Sequence, residues 1–274
     1  MLYLVGTPIG NMDDMSPRGI EILSEADVIA CEDTRRTGLL LQHFGIEGKL
    51  FSYHEHNKAA KGPVLINMMK DGMNVALVSD AGMPSINDPG EDLVKLCIEN
   101  DIDISVAPGP VAAITALVMS GLDTTRFHYE GFLPAQSKQR RERLEALKHY
   151  EETVIIYEAP HRLIKLIGEL QEYGFGSCRA AFCREMTKKY EQVIRMTINE
   201  AVEYYSEHDP KGEFVICLEA LGEKKAEEKP VDIDQMIRDL ADQGLPTKKI
   251  SAEVANVTGR SKKEIYERAL NLLQ

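Results

Sequence analysis

Val75-Ala-Leu-Val-Ser-Asp-Ala-Gly-Met-Pro-Ser-Ile-Asn-Asp-Pro-Gly90 is the stretch on which the fold turns. Its apolar start, residues 75–78, predicts a buried strand. Gly82, Pro84, Pro89 and Gly90 then break the chain into a loop, and the apolar spacing of residues 91–99 predicts a helix. Strand, loop and helix in that order make a parallel-sheet unit. In open α/β sheets ligands gather at the carboxyl ends of the strands, which is where this polar loop falls.

The pattern repeats on both sides of that unit. Residues 1–6 predict a first strand, followed by the turn Thr7-Pro-Ile-Gly-Asn11 and a helix over 16–25 opened by Ser16-Pro17. Strand 27–31 runs into Glu32-Asp-Thr-Arg-Arg36, where two acids stand beside two arginines. Strand 49–53 runs into His54-Glu-His-Asn57, which reads as polar lining of a cleft, because two histidines without a third ligand do not make a metal site. Strand 103–106 leads into Pro108-Gly-Pro-Val-Ala-Ala113, whose small residues open a helix and leave its unpaired N–H groups accessible. Alternating strands and helices over residues 1–120 predict a mainly parallel sheet covered on both faces.

Residues 121–126 read as a hinge to a second α/β domain over 127–220. Its expected strands are 127–132, 153–157, 178–184, 190–196 and 213–218, with helices over 137–150, 161–173 and 199–206. A charged linker spans 222–230. Three helical patterns follow, 233–243, 248–258 and 262–273, the last opened by a Ser261-Lys-Lys-Glu264 capping box. Residues 232–274 thus form a small helix-turn-helix-like unit with seven basic and seven acidic side chains, suited either to RNA contact or to packing.

Composition narrows the function. The chain has 274 residues, 43% of them hydrophobic, and no apolar run approaching the length of about 20 residues that spans a bilayer. The N-terminus lacks a signal-peptide core, so a cytoplasmic location is expected. The five cysteines lie mostly in apolar runs and read as buried thiols. A net charge of −12 argues against nonspecific binding of polyanions. Any nucleic-acid contact must come from local basic patches, and residues 138–148, with five basic and two acidic side chains, are one such patch.

The segments TPIGN, EDTR, HEHN, SDAG…DPG, PGP, GFLP (131–134), YEAPHR (157–162) and REMTKK (184–189) resemble, in order, those of the small-subunit ribosomal RNA ribose 2′-O-methyltransferases. That family belongs to the tetrapyrrole-methylase superfamily. The resemblance implies two αβα domains of the class III methyltransferase type plus the terminal helical unit. It implies S-adenosylmethionine as methyl donor, no metal, and a cytidine ribose in the decoding region of small-subunit rRNA as acceptor, met within the 30S particle, and a homodimer. Cofactor contacts carried over fall on Pro8, Asp80, Ala81, Gly82, Ser85, Val111, Ala112, Tyr157, Glu158, Thr187 and Gly212. Val111 replaces a common Ser, and Met83 stands where the family often has Thr.

Attack by a hydroxyl benefits from a general base, and Glu32, Asp33 and Glu185 are the candidates, with no choice among them from sequence. Arg35, Lys138, Arg140, Arg141 and Lys188 are the expected RNA contacts. The alternative is a tetrapyrrole-precursor or other small-molecule methylase of the same superfamily. It shares the cofactor loops but has no evident use for the basic helix or the terminal unit.

Overall fold

In the computed structural model, which describes residues 1–222, 233–258 and 260–273, five short strands form an all-parallel sheet. They are β1 (Leu2–Val5), β2 (Val28–Cys31), β3 (Leu50–Ser52), β4 (Val75–Val78) and β5 (Ile104–Ala107), ordered β3-β2-β4-β1-β5. Both faces are covered, so β2 and β4 are apolar without interruption. Alternate residues serve opposite faces. Val28, Ala30, Val75 and Leu77 pack on one side with Leu65 and Leu93, while Ile29, Cys31, Ala76 and Val78 pack on the other with Leu23 and Leu41. The covering helices are α1 (Pro17–Glu25), α2 (Thr34–His43), α3 (Lys58–Lys70) and α4 (Glu91–Glu99). Ser16 caps α1 through the Gly19 N–H at 3.0 Å, with Pro17 in the first turn, as its sequence predicts.

The next helix, α5 (Ala112–Ser120), leaves this pattern. Its buried residues Ala113, Ala116 and Leu117 pack on Ile155, Ala181, Cys183, Val215 and Cys217 of a second sheet. Alanine at 116 lets the strand come close enough for the Cys183 thiol to reach the Ala116 carbonyl at 3.8 Å. The second sheet holds β6 (Phe127–Phe132), β7 (Thr153–Glu158), β8 (Arg179–Arg184), β9 (Gln192–Thr197) and β10 (Phe214–Leu218). Its order is β6-β7-β10-β8-β9, and only β6 and β7 pair in parallel. Helices α6 (Ser137–Leu147), α7 (Pro160–Leu170) and α8 (Ile198–Glu207) close its other face around Leu144, Leu163, Ile167, Phe175 and Phe182.

Three expectations need correction here. The helix expected over 161–173 ends at Leu170 and passes into a wide turn, Gln171–Phe175, in which Gly174 takes a positive φ of 93°. The strand expected from 190 starts at Gln192, because Tyr190 closes an exposed turn. The basic patch on α6 is open only in part. Arg140 is 3% exposed, bonded to Glu169 at 2.8 Å and to Glu158 at 3.5 Å. Arg143 is paired with Glu130 at 2.5 Å. Lys138 and Arg141 alone of the predicted contacts on α6 stay exposed.

The C-terminal unit is three helices, α9 (Ile233–Asp242), α10 (Thr247–Thr258) and α11 (Lys262–Leu272), around Ile233, Ile237, Ile250, Val254, Ile265 and Ala269. Half of the expected capping box forms: Ser261 accepts from the Glu264 N–H at 3.2 Å, while the Glu264 carboxylate takes Arg260. The linker expected over 222–230 lies, beyond Gly222, outside the described residues.

The Glu158 carboxylate is fully enclosed between Arg140 and Arg162, with Arg162 at 2.5 Å. Removing Arg140 leaves the enclosed Glu158 with Arg162 alone, at a cost near the low end for a broken buried ion pair, about 3 kcal/mol. Arg140→Ala is therefore expected to lower the melting temperature by roughly 6–12 °C. Calorimetry checks this, and Arg141→Ala, at the exposed neighbour, should melt like the wild type.

Candidate active site

A parallel sheet puts the loops after all its strands on one edge, and here those loops are tied together. Thr7, after β1, exchanges two backbone hydrogen bonds with Gly82, after β4, at 2.9 and 3.1 Å. The Thr7 hydroxyl adds bonds to the Ser79 and Gly82 carbonyls, each at 3.3 Å. Asp80 accepts from the Asp33 N–H, after β2, at 3.2 Å. The loops after β1 and β5 touch without side chains, since a Cβ on Gly6 would lie 2.6 Å from the Gly109 nitrogen.

The second sheet brings its loops up to the same edge. Asn11 donates its N–H to the Thr187 hydroxyl at 3.0 Å, and a Cβ on Gly10 would meet the Thr187 hydroxyl at 2.7 Å. A bulge in β6 puts Gly131 at φ 68°, where a Cβ would meet the Asn87 amide at 2.8 Å. Tyr157 of β7 accepts the Ala113 N–H at 2.9 Å, capping α5 where the Val111 side chain makes no cap bond. Tyr129 and Phe132 stand edge-on to the Tyr157 ring, with centroids 5.4 and 5.5 Å away.

Between the two sets of loops lies a pocket of about 420 Å³. Of the residues expected to hold a cofactor, Asp80, Ala81, Gly82, Val111, Ala112, Tyr157 and Glu158 line it. The Glu158 side chain is spent on its two arginines, so Glu158 offers the pocket main chain. Pro8 lines an adjoining groove of about 280 Å³ instead. Ser85, Thr187 and Gly212 line neither. Ser85 packs under the loop, where its hydroxyl would lie 2.3 Å from a Cβ on Gly90. Thr187 joins the two halves, and Gly212, at φ 84°, leaves room for the Glu185 side chain.

The carboxyls divide by their partners. Asp33 caps α2 and grips Arg35 with bonds of 2.8, 3.1 and 2.7 Å, which hold it well below the usual carboxylate range. Glu185 lines the pocket, but the Glu213 N–H at 2.9 Å and Lys188 at 3.1 Å lower its proton affinity. Burial and the Asp80 carboxylate raise Glu32, which does not line the pocket. The sequence reading missed Asp88, which does. Burial, Glu32 and Asp80 push Asp88 up to about 6, against the pull of the Ser79 hydroxyl. Its signal was available, since it sits in the quoted DPG triplet. Also missed were the apolar walls Ile9, Met83, Phe132, Met186 and Phe214, whose types do not distinguish a wall from a core. Among the described residues no group of His, Cys, Asp or Glu could hold a metal, and the His54 and His56 rings meet edge-on at 6.0 Å.

Comparison with known proteins agrees with this arrangement. The family described as Tetrapyrrole (Corrin/Porphyrin) Methylases matches residues 1–202, and the RsmI C-terminal HTH domain matches 227–273. The ribosomal RNA small subunit methyltransferase I of Synechocystis sp. is 43% identical over 99% of this chain and 98% of its own length. That of Halalkalibacterium halodurans is 46% identical over 97% of this chain and 93% of its own. Among solved structures, the uroporphyrin-III C-methyl transferase of Thermus thermophilus, complexed with S-adenyl homocysteine, shares the fold. Its TM-score is 0.56 at 16% identity, over 80% of this chain and 97% of that one.

Asp88 binds its proton more tightly in the folded protein than in the unfolded chain, where carboxyls titrate near 3.8. Between about pH 4 and 6 the folded state therefore holds the extra proton, and unfolding free energy falls as pH rises. Asp88→Asn removes that loss. Its melting temperature relative to wild type should climb across this window and stay level above it, as a pH series of thermal melts would record.

Proposed function

We propose, because the chain belongs to the tetrapyrrole methylase family and to its ribosomal RNA small subunit methyltransferase I branch, that it methylates the ribose 2′-hydroxyl of a cytidine in the decoding region of small-subunit rRNA. The observation that carries the reading is the inner pocket opening into a second groove, which suits a reaction of two substrates. S-adenosylmethionine, bound there, supplies a methyl group already activated on sulfur.

The fit of that donor is supported by the chain itself. The pocket volume lies in the usual range for small-ligand sites, roughly 300–1,000 Å³. Its walls are mainly apolar, and Asp80, Asp88 and Glu213 offer acceptors to a cationic, amine-bearing ligand. Main chain at 80–82 and at the start of α5 contributes the close, side-chain-poor surface that an adenosine needs. Holding donor and acceptor in line is worth up to roughly 7–11 kcal/mol, so orientation carries much of the rate. Asp33 and Glu185 are fixed by donors of their own and act by positioning. The proton of the hydroxyl passes to Asp88, a pocket carboxyl that burial and the neighbouring Glu32 carboxylate make readier to hold it. Lys188 reaches the groove from the second half and faces the acceptor's phosphates.

The acceptor is met in the assembled small subunit, because a chain of charge −12 holds naked RNA poorly. We further assign a homodimer, which the exposed apolar side chains Ile114 and Val118 of α5 support. The site is cytoplasmic, where ribosomes are, and no helix among the described residues is long and apolar enough to cross a membrane.

Small subunits from bacteria lacking this gene should accept label from methyl-labelled S-adenosylmethionine, at a cytidine ribose. Label on a tetrapyrrole precursor with none on rRNA overturns the reading in favour of the small-molecule alternative. Light scattering should give twice the chain mass of 30.6 kDa.

A further inference from the structure

The groove beside the pocket has a cation that no sequence motif singled out. Arg35 was the expected phosphate contact of this region, but Asp33 holds it in a two-pronged grip at 3.1 and 2.7 Å. Arg36, the next residue, turns instead to the groove. Its side chain is 68% exposed and touches Asp80 through one contact of 3.3 Å. An exposed pair of this kind is worth about 0–1 kcal/mol, so Arg36 can change partners at little cost. Lys188 is the groove's other cation and arrives from the opposite half of the molecule. It is held by Glu185 at 3.1 Å and Glu213 at 2.7 Å.

Pocket and groove share Ile9, Asp80, Ala81, Lys188 and Glu213. That seam is where two reactants in neighbouring cavities meet. Leu39, 65% exposed on the same helix as Arg36, gives the groove an apolar flank that suits the face of a base. The groove therefore combines an apolar flank, a guanidinium held by a single contact and lining shared with the inner pocket. Phosphate is the ligand that a planar guanidinium fork matches best.

We infer that this groove is the acceptor-nucleotide subsite and that Arg36 leaves Asp80 to bind a backbone phosphate of the RNA. The inference rests on the function proposed above. Asp80 stays anchored by the Asp33 N–H at 3.2 Å when Arg36 leaves it, so the donor's side of the seam keeps its shape.

The test uses the full-length protein and unmethylated small subunits, with binding measured across a salt series and S-adenosylmethionine affinity measured separately. Arg36→Ala should weaken subunit binding about tenfold and flatten the slope of log affinity against log salt by roughly 0.7–0.9. Cofactor affinity should stay at the wild-type value. Arg36→Lys should restore the slope, and Lys95→Ala, on remote α4, should leave both unchanged. An Arg36→Ala protein with wild-type slope but altered cofactor affinity overturns the inference, since Arg36 would then serve only to hold Asp80. Wild-type protein that binds cofactor but fails to methylate small subunits overturns the underlying reading and this inference with it. Wild-type methylation alongside an unaffected Arg36→Ala overturns the inference alone.

Discussion

Two hydrogen bonds between Thr7 and Gly82 set the geometry on which the site depends. They join the loops after the central strand β4 and its neighbour β1, and take up backbone groups that would otherwise stand unpaired under a cavity. The loop after β2 is attached to the same point by Asp80, through the Asp33 N–H. The polar stretch that follows β4 is thus less a free loop than the hub to which its neighbours are fastened. Because the sheet is parallel, every one of these loops rises from the same edge, and fastening two of them leaves little freedom to the others.

The second half of the molecule is placed by contacts that tolerate no side chain. Gly10 admits Thr187, Gly131 admits Asn87, and alanines on α5 admit the second sheet. Helix α5 belongs by connection to the first sheet and by packing to the second, so it acts as the joint between them. Its two ends are held by second-sheet side chains, Tyr157 at the start and Arg195 on the Ser120 carbonyl at 3.0 Å. Four of the five non-glycine residues with positive φ among those described stand at the cleft: Ser85 and Asn87 from one half, Glu185 and Thr187 from the other. Strain of about 1–3 kcal/mol each persists only where the surroundings over-determine the backbone, and here the closing of two rigid halves does so.

This explains what was legible in the sequence. Strand positions, loop positions and the capped start of α1 follow from periodicity and turn chemistry, which are local. The motif residues fell at the cleft because a parallel sheet must put them there. Arg140 was misread because a charge on a basic helix looks the same whether it faces water or a buried glutamate. Glu158 and Glu169, its partners, lie 18 and 29 residues away and carry no local sign of the pairing. Arg36 and Arg35 are indistinguishable in a row of letters. Only the cap geometry of Asp33 sets them apart: Arg35 sits in a two-pronged grip, and Arg36 keeps a single contact.

Charge is distributed inside the cleft as unevenly as on the chain as a whole. The inner pocket meets Asp80, Asp88, Glu185 and Glu213 with Lys188 as its one lining cation, an environment that favours a positively charged donor. Loss of the methyl group would leave a neutral product in the same acidic pocket, so the field that attracts the donor holds its product less firmly. A polyanionic acceptor requires the opposite, and the cations available to it, Arg36 and Lys188, stand in the groove at the seam between the cavities. Each is paired with carboxylates of the pocket, so the two charge requirements are met by the same few side chains. An acidic protein can in this way accept RNA at one point without becoming a general binder of polyanions, because the cations are displayed only where a donor waits behind them.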